Sequence, residues 1–484
     1  MTQRDLSRGL TGSGVRGTIV ATKPGNAGGA KGSRKMEGTM AKRTEQPPAI
    51  VHQAQQAGAA TPHPLWWIAK PCVWTTRMLT TLITGMGEKK WFRLFDKVFA
   101  ERNLFAAFQQ VAKNDGAPGV DHVSVAEFAR QVPENIWQLS DALRDDTYRP
   151  QAIRRVHIPK PGTQETRPLG IPTVRDRLVQ AAVVNVIEPI FERDFAEHSY
   201  GFRPKRGCKD ALRRVDALLA AGYTHVVDAD LKGYFDSIPH DRLMSRLQTK
   251  IADGRVLSLI AAFLQAGILD GLDEWTPASG APQGAVLSPL LSNLYLDPLD
   301  HLLADSGFEM VRYADDFVIL CRSRADAERA LALVQAWVSD NGLMLHPTKT
   351  RLVNAQTEGF AFLGYEFRGR HHWPRRKSLQ KLKDSLRTKT KRTSGDSLEY
   401  TIARLNPTLR GWFGYFQHST YANVYRDVDG WVRGRLRSIL RKRRGGRGRG
   451  RGTDHQRWPN QFFAELGLFS LVTAHATARQ SSRR

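Results

Sequence analysis

Two neighbouring acids between two apolar runs constrain this chain more than any other feature. Met310 to Tyr313 and Phe317 to Cys321 have the length and composition of short strands, and Ala314-Asp315-Asp316 stands between them. The segment therefore reads as a hairpin with both carboxylates at its tip. Like charges held that close repel unless a cation joins them. A third acid, Asp230, lies near the end of another strand candidate, Val226 to Leu231, 85 residues before Asp315. If the two strands are neighbours, three carboxylates meet in an oxygen-rich site for a hard divalent ion. Mg²⁺ takes a few carboxylates and completes its shell with water and substrate phosphate. Two such ions about 4 Å apart activate a 3′-hydroxyl and stabilise the leaving oxygen in nucleotidyl transfer. Each piece alone has a plainer reading, as a solvated turn or as an Asp that caps or pairs. The fixed order of these acids with the motifs below tells against it.

Charge points to the partner. Lys+Arg number 72 against 47 Asp+Glu in 484 residues, a formal net charge of +25 and a pI near 10.2. That excess calls for a polyanion, nucleic acid or an anionic membrane surface. No apolar run approaches the roughly 18 residues of a membrane span, and the best candidate, Leu257 to Leu269, is bounded by Arg255 and Asp270. Cys72, Cys208 and Cys321 form no Cys-x-x-Cys pair, which excludes a zinc ribbon or disulfide framework and suits a reducing compartment. No signal-peptide pattern opens the chain. Nucleic acid in the cytoplasm is the expected partner, with no membrane.

The length suggests about three domains. Residues 1–60, rich in Gly, Thr, Ala and Lys/Arg, read as a disordered basic tail, with Met36 and Met40 as alternative starts. Residues 61–375 read as mixed α and β. Ile153 to Pro159 and Arg167 to Pro172 are two extended segments joined by Lys160-Pro161-Gly162, and Arg177 to Phe191 is a helix. Ser288-Pro289 has the form of an N-cap followed by proline, and Asp297-Pro298 repeats the device as a candidate restart. Residues 376–475 read as basic helices, with stripes at Leu379/Leu382/Leu386, Leu409/Trp412/Phe413/Phe416 and Val424 through Leu440. Between Arg375 and Arg451 stand 22 Lys/Arg against 5 Asp/Glu, so most of the excess sits here. Aromatic residues interleave with these cations, and the one-signed charge favours RNA backbone over a merely solvated face. Residues 476–484 remain as a C-terminal tail.

Taken together, these motifs resemble those of a bacterial group II intron-encoded reverse transcriptase/maturase, over roughly residues 90 to 475. Tyr313-Ala314-Asp315-Asp316 resembles the catalytic box, Asp230 to Phe235 the preceding acidic motif, and Gly280-Ala281-Pro282-Gln283-Gly284 with Ser288 to Asn293 the nucleotide-positioning motif between them. Ile158 to Pro172 and His198 to Pro204 resemble the fingers motifs, and Gly342 to Thr350 with Phe362 to Tyr365 the last palm motifs. Asp115 to Asp121 is similar to that lineage's extra N-terminal motif. Leu405-Asn406-Pro407, Arg410 to Phe413 and Trp458 to Phe469 are similar to its maturase thumb. The resemblance implies an α+β right-hand polymerase, with fingers and palm followed by an α-helical thumb.

It also implies roles. Asp230, Asp315 and Asp316 would be the catalytic metal ligands for two Mg²⁺ ions, with Mn²⁺ as a substitute. Phe235 would crowd a ribose 2′-hydroxyl, against the alternative of core packing. Gln283 would sit in a turn whose glycine admits the nucleotide. Lys160 and Arg167 would clamp the triphosphate, and Lys349 would protonate leaving pyrophosphate, against solvated surface cations in each case. Arg441, Lys442, Arg443 and Arg444 would bind RNA, and Asp228, Asp236 and His198 would be structural. Expected partners are group II intron RNA, an RNA template with a DNA primer, deoxynucleoside triphosphates, and a DNA target reached through the ribonucleoprotein, near the bacterial nucleoid. Competing readings are a non-enzymatic splicing maturase and a host-recruited repair or defence enzyme. After the maturase motifs only Thr473 to Arg484 remain, too few to build a nuclease, so the expectation is that no endonuclease domain is present.

Overall fold

The computed structural model describes residues 70–481, apart from 71, 86–88, 160–164 and 451. The tail expected over residues 1–60 and the expected triphosphate ligand Lys160 lie outside the described residues.

Strand periodicity builds the centre of the molecule. Strands β1 (Ile153–Pro159) and β2 (Thr166–Ile171) pair antiparallel, Arg154 opposite Ile171 and Ile158 opposite Arg167. Strand β3 (His225–Asp230) is central in a second sheet. The short β4 (Ile268–Asp270) runs parallel to β1 and pairs with β5 (Asp273–Trp275), giving the first sheet the order β2-β1-β4-β5. The hairpin β6 (Glu309–Tyr313) and β7 (Asp316–Cys321) and the strand β8 (Arg351–Asn354) complete the second sheet in the order β6-β7-β3-β8. Strands β9 (Phe360–Phe362), β10 (Tyr365–Arg368) and β11 (His371–Pro374) form a small antiparallel sheet.

Strand β7 is buried from Phe317 to Cys321 because both its faces are covered. Phe317, Ile319 and Cys321 join Val227 and Ala229 of β3 in a core shared with the helices Ser288–Asp305 and Arg324–Asp340. Val318 and Leu320 point the other way and meet Val226, the helix Cys208–Ala220 and the aromatics of β9 and β10. Alternation along β3 places Asp228 and Asp230 on the side of Val226, and along β7 it places Asp316 on the side of Val318. The acids therefore share one face.

The helix Val174–Glu192 runs through the N-terminal half, buried nearly all round, with Thr173 as its N-cap. Its Gln180 side chain accepts from the backbone N–H of Val286 (2.8 Å) and Leu287 (3.3 Å), fixing the loop before Ser288. Two expectations fail here. Ser288 is not the N-cap: that position is Leu287, and Ser288 is the first helical residue, its hydroxyl donating to the Pro282 carbonyl at 2.8 Å and capping no helix N–H. Nor does Pro298 restart a helix. One helix runs through it, and Asp297 instead accepts from the Ala196 N–H at 3.1 Å.

The basic segment folds into the helices Arg376–Lys389, Leu398–Phe416 and Asn423–Arg443 around Leu386, Leu405, Leu409, Val432 and Leu436. The helix Leu471–Ser481 returns to this bundle and crosses the tail boundary expected at residue 475. Buried Asp429 holds its start, accepting from the Leu471 N–H (3.0 Å) and the Ser470 hydroxyl (2.8 Å).

Candidate active site at an acidic hairpin

The strand register sets Asp230 directly opposite Asp316, so the two side chains leave one face of neighbouring strands, and Asp315 stands in the turn beside them. The turn takes a conformation unfavourable for most residues: Ala314 has φ of +60°. What holds it is beneath the hairpin. Arg312 is 1% exposed and its Nε donates to both carboxylate oxygens of Asp300, at 2.8 and 3.0 Å. Its Nη1 donates to the Asn293 side-chain oxygen and to the Ala314 carbonyl, each at 3.0 Å. Asn293 in turn donates to the Gly201 carbonyl at 2.8 Å. Gly201 lies so close that a Cβ there would be 2.1 Å from the Ala314 nitrogen. Thus a glycine, an asparagine and a buried ion pair fix the acids' position. Gly201 and Asn293 fall within the sequence motifs without a role read for them, and Arg312 and Asp300 were missed. An arginine among Met310, Val311 and Tyr313 was the available signal.

Burial and like charges strain the acids. Burial, then the charges of Asp228, Asp315 and Asp230, push the Asp316 carboxyl up to about 7. Asp315 is also raised by burial; a backbone hydrogen bond opposes this, the Asp230 charge adds to it, and the Arg167 and Arg312 charges relieve it. Arg167, exposed on β2, is thereby placed within electrostatic reach of Asp315. Asp228 forms an ion pair with Arg351 at 3.0 Å, the structural role expected of it.

The three acids are not gathered into a ready cage. Among the described residues no group of three or more His, Cys, Asp or Glu side chains is arranged to hold a metal. Instead the Asp230 carboxylate receives Lys349 Nζ at 2.7 Å. Lys349 arrives there because the segment before it runs beside β3, with the His346 N–H donating to the Asp230 carbonyl at 2.7 Å. Mg²⁺ needs only one or two protein carboxylates, and a raised carboxyl beside like charges is what a cation relieves. The residues therefore fit a divalent ion in an open site, at whose edge Lys349 also counters the Asp230 charge.

Phe235 lies half-buried, its ring edge-on to Tyr234 (5.5 Å between centroids) and to Phe202 (6.4 Å). Phe202 is 48% exposed at φ of +60°, so an unexpected second aromatic extends the wall. The Phe235 carbonyl accepts from the Ala281 N–H at 2.7 Å, joining this wall to the Pro282-Gln283-Gly284 turn. In that turn Gly284 has φ of +105°, and the backbone it admits is β2: a Cβ would be 2.5 Å from the Gly170 carbonyl oxygen. The Gln283 carbonyl accepts from the Gly170 N–H at 2.6 Å. Gln283, Arg155, Asp236 and Trp275 line a cavity of about 410 Å³ between the first sheet and this turn.

The four cations expected to contact RNA divide. Arg441 is half-buried and pairs with Asp454 at 2.7 Å, whereas Lys442, Arg443 and Arg444 are exposed, with Arg443 donating to the Asp396 carbonyl.

Residues 158–367 match the family described as reverse transcriptase (RNA-dependent DNA polymerase), and residues 379–458 match the group II intron, maturase-specific domain. The chain is 39% identical over 215 residues to the group II intron-encoded protein LtrA of Lactococcus lactis, covering 44% of this chain and 35% of that protein. It thus spans about a third of that relative's length. Protein YkfC of Escherichia coli is 34% identical over 294 residues, 52% of this chain and 76% of YkfC. An uncharacterized 91 kDa protein in the cob intron of Schizosaccharomyces pombe is 32% identical over 333 residues, 56% of this chain and 41% of that protein. With both domain families in their order, and YkfC matched over most of its length, the chain belongs to the group II intron-encoded reverse transcriptase/maturase family.

Proposed function

We propose that this chain is an RNA-directed DNA polymerase that copies intron RNA by two-metal nucleotidyl transfer, and that it binds the same RNA to assist splicing and mobility. Residues 61–375 serve as fingers and palm and 376–475 as the thumb. One observation carries the reading: Asp230 and Asp316 oppose each other on neighbouring strands, with Asp315 in a turn locked from below by Arg312. Asp230, Asp315 and Asp316 would hold the ions. Divalent metal, when bound there, supplies the charge that lowers the primer hydroxyl's pKa and offsets charge on the phosphates.

The remaining steps belong to the chain's own groups. Arg167, whose charge acts on Asp315 from β2, would orient the triphosphate of a deoxynucleotide. Lys349, which pairs with Asp230 at the edge of the acids, would donate a proton to the leaving pyrophosphate. Phe235, backed by Tyr234, blocks the ribose 2′ position. Gln283, in the turn that Phe235 joins, would help position the incoming nucleotide. The partners are intron RNA, a primed RNA template, deoxynucleoside triphosphates, and a DNA target met through the ribonucleoprotein. Among the described residues no helix is long and apolar enough to cross a membrane.

Primer extension on an RNA template with Mg²⁺ tests the reading. Asp315→Ala should lower the rate at least about a hundredfold, about 3 kcal/mol of lost stabilisation. Extension within threefold of the unaltered protein removes Asp315 from the mechanism. RNA binding without extension by the unaltered protein leaves the splicing role alone.

A further inference from the structure

A second cavity, of about 590 Å³, lies within the helical thumb and is lined by Arg387, Arg392, Arg435 and Arg449 together with Trp431 and Ser438. None of its lining residues is acidic. Arg435 is the best ordered: its Nε donates to the Thr390 hydroxyl at 3.0 Å and its Nη2 to the Thr390 carbonyl at 2.7 Å. Arg392 reaches across to the Gly448 carbonyl at 3.3 Å, which brings the helix Arg376–Lys389 and the glycine-rich segment to opposite sides of one hollow. The indole of Trp431 backs the site, with the guanidinium carbons of Arg387 and Arg435 at 5.7 and 5.8 Å from its ring centroid and Lys383 Nζ at 6.0 Å. Among the described residues, Arg387 alone of the four arginines forms an ion pair, with Asp384 one turn away on its own helix. Burial, then the charges of Arg387, Arg392 and Arg449, lower the Arg435 pKa, so the cations are held together against their mutual repulsion.

A hollow that gathers four guanidinium groups and lines itself with no carboxylate is built for an anion with several acceptor oxygens. We propose that it is a phosphodiester subsite, which seats the backbone of a bound RNA strand in the thumb, away from the acidic hairpin. Arg392, Arg435 and Arg449 contact the phosphate oxygens, and Trp431 backs the guanidinium groups of Arg387 and Arg435. The proposal rests on the reading of this chain as an RNA-binding protein. It differs from the expectation for Arg441 to Arg444, two of which are engaged within the thumb.

The test uses the full chain and a fluorescein-labelled 20-nucleotide RNA, with a DNA of the same sequence as a second arm. Anisotropy gives the dissociation constant from 50 to 300 mM salt. The double variant Arg392→Gln/Arg449→Gln removes two exposed cations, and the bond it breaks to the Gly448 carbonyl is long, so thermal melting should not move. The log–log salt slope for RNA should fall by about 1.4, about 0.7 for each single-strand phosphate no longer neutralised, and the dissociation constant at 150 mM should rise at least about fivefold. A weakening with RNA alone, or with both strands, identifies what the phosphodiester site receives. An unchanged RNA slope in a variant with unchanged melting overturns the proposal. Extension by the unaltered protein is measured separately: its absence removes the polymerase and leaves the pocket, whereas an unchanged slope removes the pocket and leaves the polymerase.

Discussion

Replacing Asp300 by asparagine probes the lock under the acidic hairpin. The side chains of Arg312 and Asp300 are 1% and 5% exposed, so this ion pair is fully desolvated. Asp300→Asn preserves shape and keeps one acceptor, but it leaves the Arg312 charge buried without its counter-charge. Breaking a buried pair on one side costs about 3–5 kcal/mol, and the retained acceptor puts this variant near the lower figure. That is a large share of the roughly 5–15 kcal/mol that holds a domain folded. With a urea slope of about 3 kcal/mol per molar, the unfolding midpoint should drop by about 1 M. Extension should fall as well, at least about tenfold, because Arg312 Nη1 also holds the Ala314 carbonyl. The double variant Asp300→Leu/Arg312→Met separates the two effects. It removes both charges and should recover at least half of the stability, while extension stays low because Ala314 and Asn293 lose their donor. Asp305→Asn, at the exposed end of the same helix, should move stability by less than about 0.5 kcal/mol. A midpoint for Asp300→Asn as close to the unaltered protein as that of Asp305→Asn would refute the lock.

Gly201→Ala should reduce both folded yield and extension, because its Cβ would lie 2.1 Å from the Ala314 nitrogen; full extension by the purified variant would show that the hairpin shifts freely. Phe235→Val should raise ribonucleotide relative to deoxyribonucleotide incorporation, and an unchanged ratio in an active variant returns Phe235 to packing alone. Burial, then the Glu192 charge, pushes the Glu188 carboxyl from 4.5 to about 7. Its proton is bound more tightly in the folded chain, so its contribution is complete below about pH 4.5 and is lost as pH rises toward 7, by at most about 3 kcal/mol. Denaturant midpoints of Glu188→Gln should therefore exceed those of the unaltered protein at pH 8 and converge with them near pH 5; parallel pH profiles would contradict this.

The centre of the fold was legible because period-2 alternation and turn chemistry are local. Met310 to Cys321 read as two strands around an acidic turn, and register then forces Asp230 opposite Asp316. The helix Arg324–Asp340 and the break after Asn114 were equally local. What could not be read were the long-range choices of polar groups. Ser288 stands where a cap is favoured, yet its hydroxyl goes to Pro282, and Gly284 approaches β2, which lies more than a hundred residues away. The Arg312 lock is of the same kind, since its partners come from the helix Ser288–Asp305 and from the turn itself.

The basic thumb shows why a charge count finds a partner class but not a site. Each arginine has a long stem and a planar fork, so it serves as well in tying helices together as in holding a phosphate. Arg437 is buried and donates to the Trp458 carbonyl at 2.9 Å, Arg404 pairs with Asp396 at 3.0 Å, and Arg441 is committed to Asp454. These cations spend their donors inside the bundle, although in sequence they are indistinguishable from the rest. The densest run, Arg441 to Arg444, stands out because adjacency is visible along a chain. Arg387, Arg392, Arg435 and Arg449 are spread over more than sixty residues, and only the packing of two helices with the glycine-rich segment brings them to one hollow. Local density measures how much charge a segment carries. Where that charge is left uncompensated is decided by which acids and carbonyls the fold delivers to each guanidinium, and no carboxylate lines the hollow around Trp431.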